Sequence, residues 1–211
     1  MKKIVIDGRC IKSGKFDGAQ RYATEILHEL DKIVPFGQYE LLIRPECVDL
    51  ICLERIKKVE MKGDSTFSWG LRAFFYLFKQ SAWYINFSNG PAIWPKSIIT
   101  QHDIYAFYNV CNNTKKYIIK RKCKALLNVV IAKHIVTVSQ YSKKTILEKL
   151  PINSEKISVI YNGWQHIKSV LPDTSILEKE DIRKNEYYFF IGQIIQKKLI
   201  MNQLNLLFYK K

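Results

Sequence analysis

Polar residues that could contact a ligand follow three short predicted strands of this sequence, Tyr84–Phe87, Ser97–Thr100 and His134–Val138. Ser88-Asn89-Gly90-Pro91 follows the first strand, Gln101-His102-Asp103 follows the second, and Ser139 follows the third. Since parallel strands end at one edge of a sheet, these residues would meet in a crevice at the carboxyl ends of the strands. Their imidazole, amide and hydroxyl groups can donate and accept hydrogen bonds to a polar ligand. Asn89 and Ser139 also have a purely structural interpretation, as a turn residue and a helix cap.

A glycine stands at the start of the first predicted helix. Lys2–Ile6 is predicted to form a buried strand that ends at Asp7-Gly8-Arg9. Apolar residues recur at helical spacing from Ala19 onward, which predicts a helix with Gly18 at or near its N-terminus. Glycine lets a phosphate approach the backbone there, and the helix dipole favours an anion. The sequence therefore predicts an anion contact at Gly18.

A complete strand, helix and strand unit lies in the second half of the chain. His134–Val138 is a β-branched run, Ser139 occupies the position of a helix N-cap, and Pro151 stops the helix. Lys156–Tyr161 alternates as a further strand, and Asn162-Gly163 supplies a tight turn. A strand that leads into a capped helix N-terminus is typical of doubly wound α/β folds.

The remaining apolar runs complete an α/β pattern. Further elements are predicted as strands at Tyr39–Ile43, Lys57–Met61, Tyr84–Phe87 and Ser97–Thr100, and as helices at Val48–Ile56, within Phe67–Tyr84 and at Ala125–Lys133. We therefore expect a Rossmann-like doubly wound parallel sheet over residues 1–164. Residues 165–186 have little periodicity and are predicted to form a linker. Residues 187–211 show one strand, Tyr187–Ile191, and one turn or helix, which indicates the truncated start of a second domain.

Two segments are open to two interpretations. Phe67–Tyr84 is the most aromatic part of the chain, and its mix of Trp, Phe and basic residues is typical of a helix lying on a membrane. The spacing of Phe74, Leu77 and Phe78 instead favours a helix that packs on the sheet. The lysine-rich segment Lys115–Lys124 is either a solvated face or a specific anion site.

The charge of the chain favours anionic partners. Thirty-four Lys and Arg against nineteen Asp and Glu give a net charge of +15, which suits nucleotide phosphates, phospholipid head groups or nucleic acid. No stripe of basic and aromatic residues fits a nucleic-acid recognition motif, so we expect no nucleic-acid partner. Five scattered cysteines without a C-x-x-C pair argue against a disulfide framework and a zinc site, and no metal is expected.

The N-terminus and the hydropathy bear on location. Asp7 and Gly8 interrupt the first apolar run, which predicts a strand rather than a secretory signal. No run approaches the roughly 20 apolar residues of a spanning helix. We expect a cytoplasmic protein, with peripheral contact to an anionic membrane left open.

Four motifs occur in an informative order. The first two are Asp7-Gly8-Arg9 with Asp17-Gly18-Ala19-Gln20-Arg21-Tyr22, and Gln101-His102-Asp103. The other two are Val138-Ser139-Gln140-Tyr141-Ser142 with Ile157-Ser158-Val159-Ile160-Tyr161-Asn162-Gly163, and Ile191-Gly192 with Lys197 and Lys198. Together they resemble glycosyltransferase family 4, the retaining nucleotide-sugar transferases of GT-B architecture. In that family two Rossmann-like domains face each other across a cleft, which implies that residues 1–164 are the acceptor-side N-terminal domain.

The resemblance implies roles for individual residues. His102 would lie beside the transferred sugar and hydrogen-bond to it as leaving-group charge develops, although a histidine satisfied at a strand end is the structural alternative. The positions implied to bind the donor are Gly18, Ser139 and Lys198, the last of which would offset the charge of the departing diphosphate. The positions implied to line the acceptor cleft are Asp7, Arg21, Asn89 and Asp103.

The motif match ends at Lys198. Gln193 and Leu199 depart from the family's basic turn, and its two glutamates seven residues apart do not follow. We therefore expect a glycosyltransferase of surface polysaccharide or lipopolysaccharide assembly, truncated by a frameshift near Lys197 and Lys198 and weakly active or inactive. It would use a nucleotide-sugar donor and a glycan or lipid-linked acceptor. The alternative is a non-catalytic Rossmann-like module or half-subunit that acts with a membrane surface or a separate C-terminal partner.

Overall fold

A computed structural model describes residues 2–14, 17–63, 65–108, 114–171 and 173–183. The chain divides into two compact units, of which the first ends at Asn162 and the second begins at Gly163. Within the second unit, the described residues form a 3₁₀ helix, Gln165–Ser169, and a short α-helix, Ser175–Lys179. The predicted strand Tyr187–Ile191 and the rest of the predicted domain start lie outside the described residues, and the predicted domain and linker bounds stay predictions.

The first unit is built on one parallel sheet of seven strands. The strands are β1 (Ile4–Asp7), β2 (Tyr39–Ile43), β3 (Lys57–Glu60), β4 (Trp83–Asn86), β5 (Ser97–Thr100), β6 (His134–Thr137) and β7 (Ile157–Val159). Their order is β3-β2-β1-β4-β5-β6-β7 and every neighbouring pair is parallel. The strand order reverses between β1 and β4, so the loops after these two strands flank the crevice where such sheets bind ligands.

Four α-helices cover the two faces of this sheet. They are α1 (Gly18–Ile33), α2 (Thr66–Gln80), α3 (Lys115–Ile131) and α4 (Gln140–Lys149), with N-caps at Asp17, Ser65, Thr114 and Ser139. Each cap side chain accepts a hydrogen bond from a backbone N–H of the first turn, which satisfies a donor that the helix leaves unpaired. The predicted Rossmann-like doubly wound α/β fold is confirmed.

The hydrophobic core lies in two layers, one on each face of the sheet. Ala23 and Leu27 of α1 pack with Leu41 on one face. Leu77 of α2 and Val129 of α3 pack on the other, together with residues of α4. Because apolar layers cover both faces of the sheet, strands such as β1 and β6 are mostly buried along their length.

Two predicted helices differ from the observed ones. The helix predicted at Ala125–Lys133 begins ten residues earlier, at Lys115, because Thr114 caps it and the lysines are good helix formers. The helix predicted at Val48–Ile56 is a 3₁₀ helix, Pro45–Leu50. None of the helices in the described ranges is long and apolar enough to cross a membrane.

The packing prediction for α2 is only partly right. Leu77 is fully buried, but Phe74 and Phe78 are 36% and 67% exposed. Trp69 and Ala73 take the inward positions instead, at spacings of four residues from each other and from Leu77. The buried stripe therefore contains one aromatic residue, and the phenylalanines lie outside it.

This assignment of the α2 faces can be tested by truncation. We expect Leu77→Ala to lower the free energy of unfolding by about 2–5 kcal/mol, because it opens a cavity in the core. Leu71→Ala on the same helix, where Leu71 is 48% exposed, should cost less than about 1 kcal/mol. Urea unfolding followed by circular dichroism measures both, and equal losses would contradict the assignment.

Candidate functional site

His102 is held in one orientation at the carboxyl end of β5. Its Nε2 lies 2.8 Å from the carbonyl oxygen of Phe87, and its backbone N–H donates to Asn89 Oδ1 at 2.6 Å. A carbonyl oxygen only accepts, so Nε2 carries a proton and Nδ1 of the neutral ring is left as an acceptor. The ring of Tyr22, in the second turn of α1, meets the imidazole edge-to-face at 4.7 Å between centroids.

Asn89 positions His102 from the loop between β4 and β5. Its backbone is left-handed, with φ of 55°, a conformation that asparagine tolerates better than most residues. Its backbone N–H donates to the carbonyl oxygen of Thr100 at 3.1 Å. The amide of Asn89 is therefore both a turn group and a direct partner of His102.

Ser139 reaches His102 through one further hydroxyl. As N-cap of α4, Ser139 Oγ accepts from the Ser142 N–H at 3.0 Å and donates to Ser142 Oγ at 3.0 Å. Ser142 Oγ in turn donates to the carbonyl oxygen of His102 at 3.1 Å. The start of α4, Asn89 and His102 thus form one hydrogen-bonded group, as the sequence predicts.

Asp7 lies at the end of β1 and is 1% exposed. Its carboxylate accepts hydrogen bonds from Arg9 Nε at 2.9 Å, from Asn86 Nδ2 at 2.7 Å and from the Tyr84 hydroxyl. Buried charge is tolerated when it is paired and hydrogen-bonded in this way. Asp7 therefore organises the interior below the crevice and leaves little surface for an acceptor.

The partners of Asp7 stay in their hydrogen-bonding forms. Burial, with the nearby Asp7 carboxylate, raises the pKa of Tyr84 well above its ordinary value, so the phenol remains a donor. Burial alone would lower the pKa of Arg9, but the Asp7 carboxylate more than offsets this and the pKa is raised. The network therefore keeps its hydrogen bonds across the physiological pH range.

Asn86 connects the Asp7 network to the loop that follows β4. Its Oδ1 accepts from the Ser88 N–H at 2.9 Å and from the Gly90 N–H at 3.1 Å. A β-carbon at Gly90 would lie 2.0 Å from Asn86 Nδ2, so the loop folds directly onto the amide. This close approach requires glycine.

Asn128 of α3 holds the same loop from the other side. Its Oδ1 accepts from the Ala92 N–H at 2.7 Å, and its Nδ2 donates to the Gly90 carbonyl at 3.0 Å and to Gln101 Oε1 at 3.2 Å. Gln101 Nε2 donates to the carbonyl oxygen of Asp103 at 2.6 Å. The loops after β4 and β5 are therefore joined by one fully buried amide.

Gly18 and Arg21 lie at the start of α1. Gly18 is exposed, and a β-carbon there would meet nothing within 4 Å, which leaves room for a ligand. Arg21, three residues further along α1, is exposed as well. The capping carboxylate of Asp17 accepts from the Gln20 N–H, which lowers the pKa of Asp17 and puts a negative charge at the helix start. Lys12, 3.3 Å from that carboxylate, partly balances it.

Asp103 lies next to His102 and faces α3. Its Oδ1 accepts from the Tyr105 N–H at 3.3 Å and lies 3.5 Å from a guanidinium nitrogen of Arg121. Lys198, the remaining predicted donor contact, lies outside the described residues. Within the described ranges no cluster of three His, Cys, Asp or Glu residues could hold a metal ion.

Sequence reasoning missed the residues that hold the site in place. Tyr84 and Asn86 lie inside a strand run, and Asn128 lies in the apolar segment Ala125–Val130. A polar side chain at a core position of a strand or helix is the signal that could have identified Asn86 and Asn128, because such a group needs buried partners.

The tight contact at Gly90 gives a direct test of the loop geometry. We expect Gly90→Ala to lower the free energy of unfolding by about 1–3 kcal/mol, because the buried Asn86 amide cannot move aside without losing its hydrogen bonds. Gly18→Ala is the control, since its β-carbon meets open space. Thermal and urea unfolding measure both, and a Gly90→Ala variant as stable as the unmodified chain would disprove the close approach.

The chain is similar to known glycosyltransferases in sequence over one segment and in fold over most of its length. Residues 80–165 match the model of Glycosyltransferase Family 4, and no curated protein matches the chain. The fold is similar to that of the crystal structure of Anabaena Alr3699/HepE in complex with UDP and glucose, with a TM-score of 0.55 at 15% identity. The likeness covers 85% of this chain and 50% of that chain, so this chain spans about half the length of that protein.

The matched segment contains Asn89, His102, Asp103 and Ser139 of the candidate site. The structural likeness concerns the fold, which in this chain is built on the seven-stranded parallel sheet. The resemblance inferred from the sequence motifs is confirmed over residues 80–165, the segment that matches the Glycosyltransferase Family 4 model.

Proposed function

We propose that the protein is a glycosyltransferase that moves a sugar from a nucleotide-sugar donor to a glycan or lipid-linked acceptor in surface polysaccharide or lipopolysaccharide assembly. The observation that carries this proposal is His102, whose ring is fixed by Phe87 and Tyr22 with Nδ1 left as an acceptor. The family 4 match over residues 80–165 supports it. The UDP and glucose in the HepE crystal structure suggest the class of donor.

The chemistry asks for positioning and charge stabilisation more than for a covalent step. His102 Nδ1 would accept a hydrogen bond from a sugar hydroxyl and hold the sugar in place. The backbone N–H groups at Gly18 would meet the diphosphate at the start of α1, with Lys198 and Ser139 as further donor contacts. Arg21, Asn89 and Asp103 would face the acceptor, above the buried Asp7. No metal is part of this proposal.

A labelled-donor assay tests the proposed role of His102. The purified 211-residue chain is incubated for long times with radiolabelled nucleotide sugars and lipid-linked acceptors, since we expect slow turnover. His102→Ala should lower transfer by at least about 100-fold, because a preorganised hydrogen-bond partner is lost.

The matched control is His134→Ala. His134 is the first residue of β6, at the amino ends of the strands, and its imidazole Nε2 lies 2.9 Å from Ser158 Oγ. The His134→Ala variant should transfer sugar at the same rate as the unmodified chain. Transfer that survives in His102→Ala, or no transfer from any nucleotide sugar tested, would refute the proposal.

A second candidate function is a non-catalytic module that binds a membrane surface. It rests on the outer face of α2, where Phe67, Phe75 and Phe78 are 80%, 61% and 67% exposed. Phe74 and Phe78 contact the Trp94 ring at centroid distances of 5.6 and 6.3 Å, and Phe74 contacts Phe75 at 5.7 Å, so these four rings form one cluster. Aromatic residues beside basic ones, here Arg72 and Lys79, are typical of helices that lie at a lipid interface.

Vesicle binding separates this candidate from an aromatic face with no lipid contact. We expect Phe75→Ser with Phe78→Ser to weaken sedimentation with phosphatidylglycerol vesicles by about tenfold or more, because apolar area is lost. The control pair is Ile33→Ser with Phe36→Ser, at 76% and 70% exposure around the end of α1. Equal losses in the two pairs would argue against a dedicated membrane face.

A further inference from the structure

The positive charge of the chain is concentrated in one stretch. Between Asp64 and Glu148 the only acidic residue is Asp103, against twelve Lys and Arg. Five of the seventeen residues of α3 are lysines and one is an arginine. A helix this basic beside a candidate ligand site raises the question of which cations face the site.

One stripe of α3 faces the loops that hold His102. Asn128 hydrogen-bonds to the loops after β4 and β5. A guanidinium nitrogen of Arg121 lies 3.5 Å from Asp103 Oδ1. Lys124 follows Arg121 by three residues and precedes Asn128 by four, so the three side chains leave the helix on the same side. Lys124 is thereby directed toward the region next to His102 and Asp103.

Arg121 is oriented by two tyrosine rings more than by the carboxylate of Asp103. Its guanidinium carbon lies 4.7 Å from the ring centroid of Tyr105 and 5.9 Å from that of Tyr117, whose hydroxyls are 2.8 Å apart. The contact with Asp103 Oδ1, at 3.5 Å, is long and uses one nitrogen. Since a guanidinium has five N–H donors, the stacked Arg121 retains donors for an anion.

Lys124 is a half-buried cation whose side chain makes no hydrogen bond or ion pair among the described residues. Burial, together with the charges of Arg121, Arg9 and Lys120, lowers its pKa to about 8. An ammonium that is partly removed from water and surrounded by other cations is destabilised until an anion joins it. Asp103 alone does not supply enough negative charge for this group of cations.

We propose that Arg121 and Lys124 form a phosphate-binding subsite beside His102, which takes the phosphate or diphosphate group of a phosphorylated acceptor. The guanidinium can bind two phosphate oxygens in parallel and the ammonium a third. The subsite rests on the proposed transferase function only for the identity of the molecule that carries the phosphate.

Binding of inorganic pyrophosphate tests the subsite without a donor or turnover. Calorimetric titration of the full chain should give saturable one-to-one binding. Lys124→Met and Arg121→Gln should each weaken it by about tenfold or more, because a charge-assisted contact is lost. Lys116→Met is the matched control, since Lys116 is an exposed lysine on the same helix and should change the affinity less than about twofold. Circular dichroism and melting temperature establish that each variant is folded.

Phospholipid head groups carry the same phosphate chemistry, so a second arm uses phosphatidylglycerol vesicles. The subsite is supported when Lys124→Met weakens pyrophosphate binding and leaves vesicle binding unchanged. It is overturned when pyrophosphate does not saturate, when Lys116→Met weakens binding as much as Lys124→Met, or when Lys124→Met loses vesicle binding alone. Pyrophosphate binding without sugar transfer would refute the transferase proposal alone, and transfer without pyrophosphate binding would refute the subsite alone.

Discussion

The buried carboxylate of Asp7 is the interaction on which the site depends. Asp7 is the last residue of β1, and the strand order reverses between β1 and β4. Its hydrogen bonds to Tyr84 and Asn86 connect these two strands. A charge at this depth is stable only while all its partners are in place, so it fixes the spacing of the two central strands. Asn86, held by that carboxylate, then shapes the loop that carries Asn89.

Side-chain amides connect the buried Asp7 network to His102 by hydrogen bonds. Asn86 and Asn128 grip the loop at Gly90 from opposite sides, and Asn89 in that loop binds the backbone of His102. Amides suit this task because each can donate and accept at once without bringing a charge into the core. The result is an imidazole whose free nitrogen is set by the hydrogen bond on the other, which is how a neutral histidine is kept in one tautomer.

Much of the fold could be predicted from the sequence, because hydrophobic periodicity is a local signal. Tyr39–Ile43 and Ser97–Thr100 are strands at their predicted bounds, and the Ser139 cap is where the pattern places it. The grouping of Asn89, His102 and Ser139 was also predictable, since polar residues after parallel strands share one edge. The Asp7 network was not, because Asp7 and Tyr84 are 77 positions apart and meet only once β1 and β4 are neighbours. For the same reason the sequence misplaced Phe74 and Phe78: two helix stripes had apolar residues, and only the packed sheet selects between them.

Helix α3 both holds the loops around His102 and supplies cations beside them, because it lies near the carboxyl ends of the strands. Its inward side supplies Asn128 and Val129, which hold the loops and fill the core. The side toward the crevice supplies Arg121 and the half-buried Lys124, whose pKa is lowered to about 8 by burial and by the neighbouring cations. A helix that served only as a solvated face would direct its lysines into water, where each would keep a hydration shell and no pKa would fall. The half-burial of Lys124 is therefore the feature that distinguishes an anion site from the solvated face, and it lies on the same stripe as the amide that positions the loops around His102.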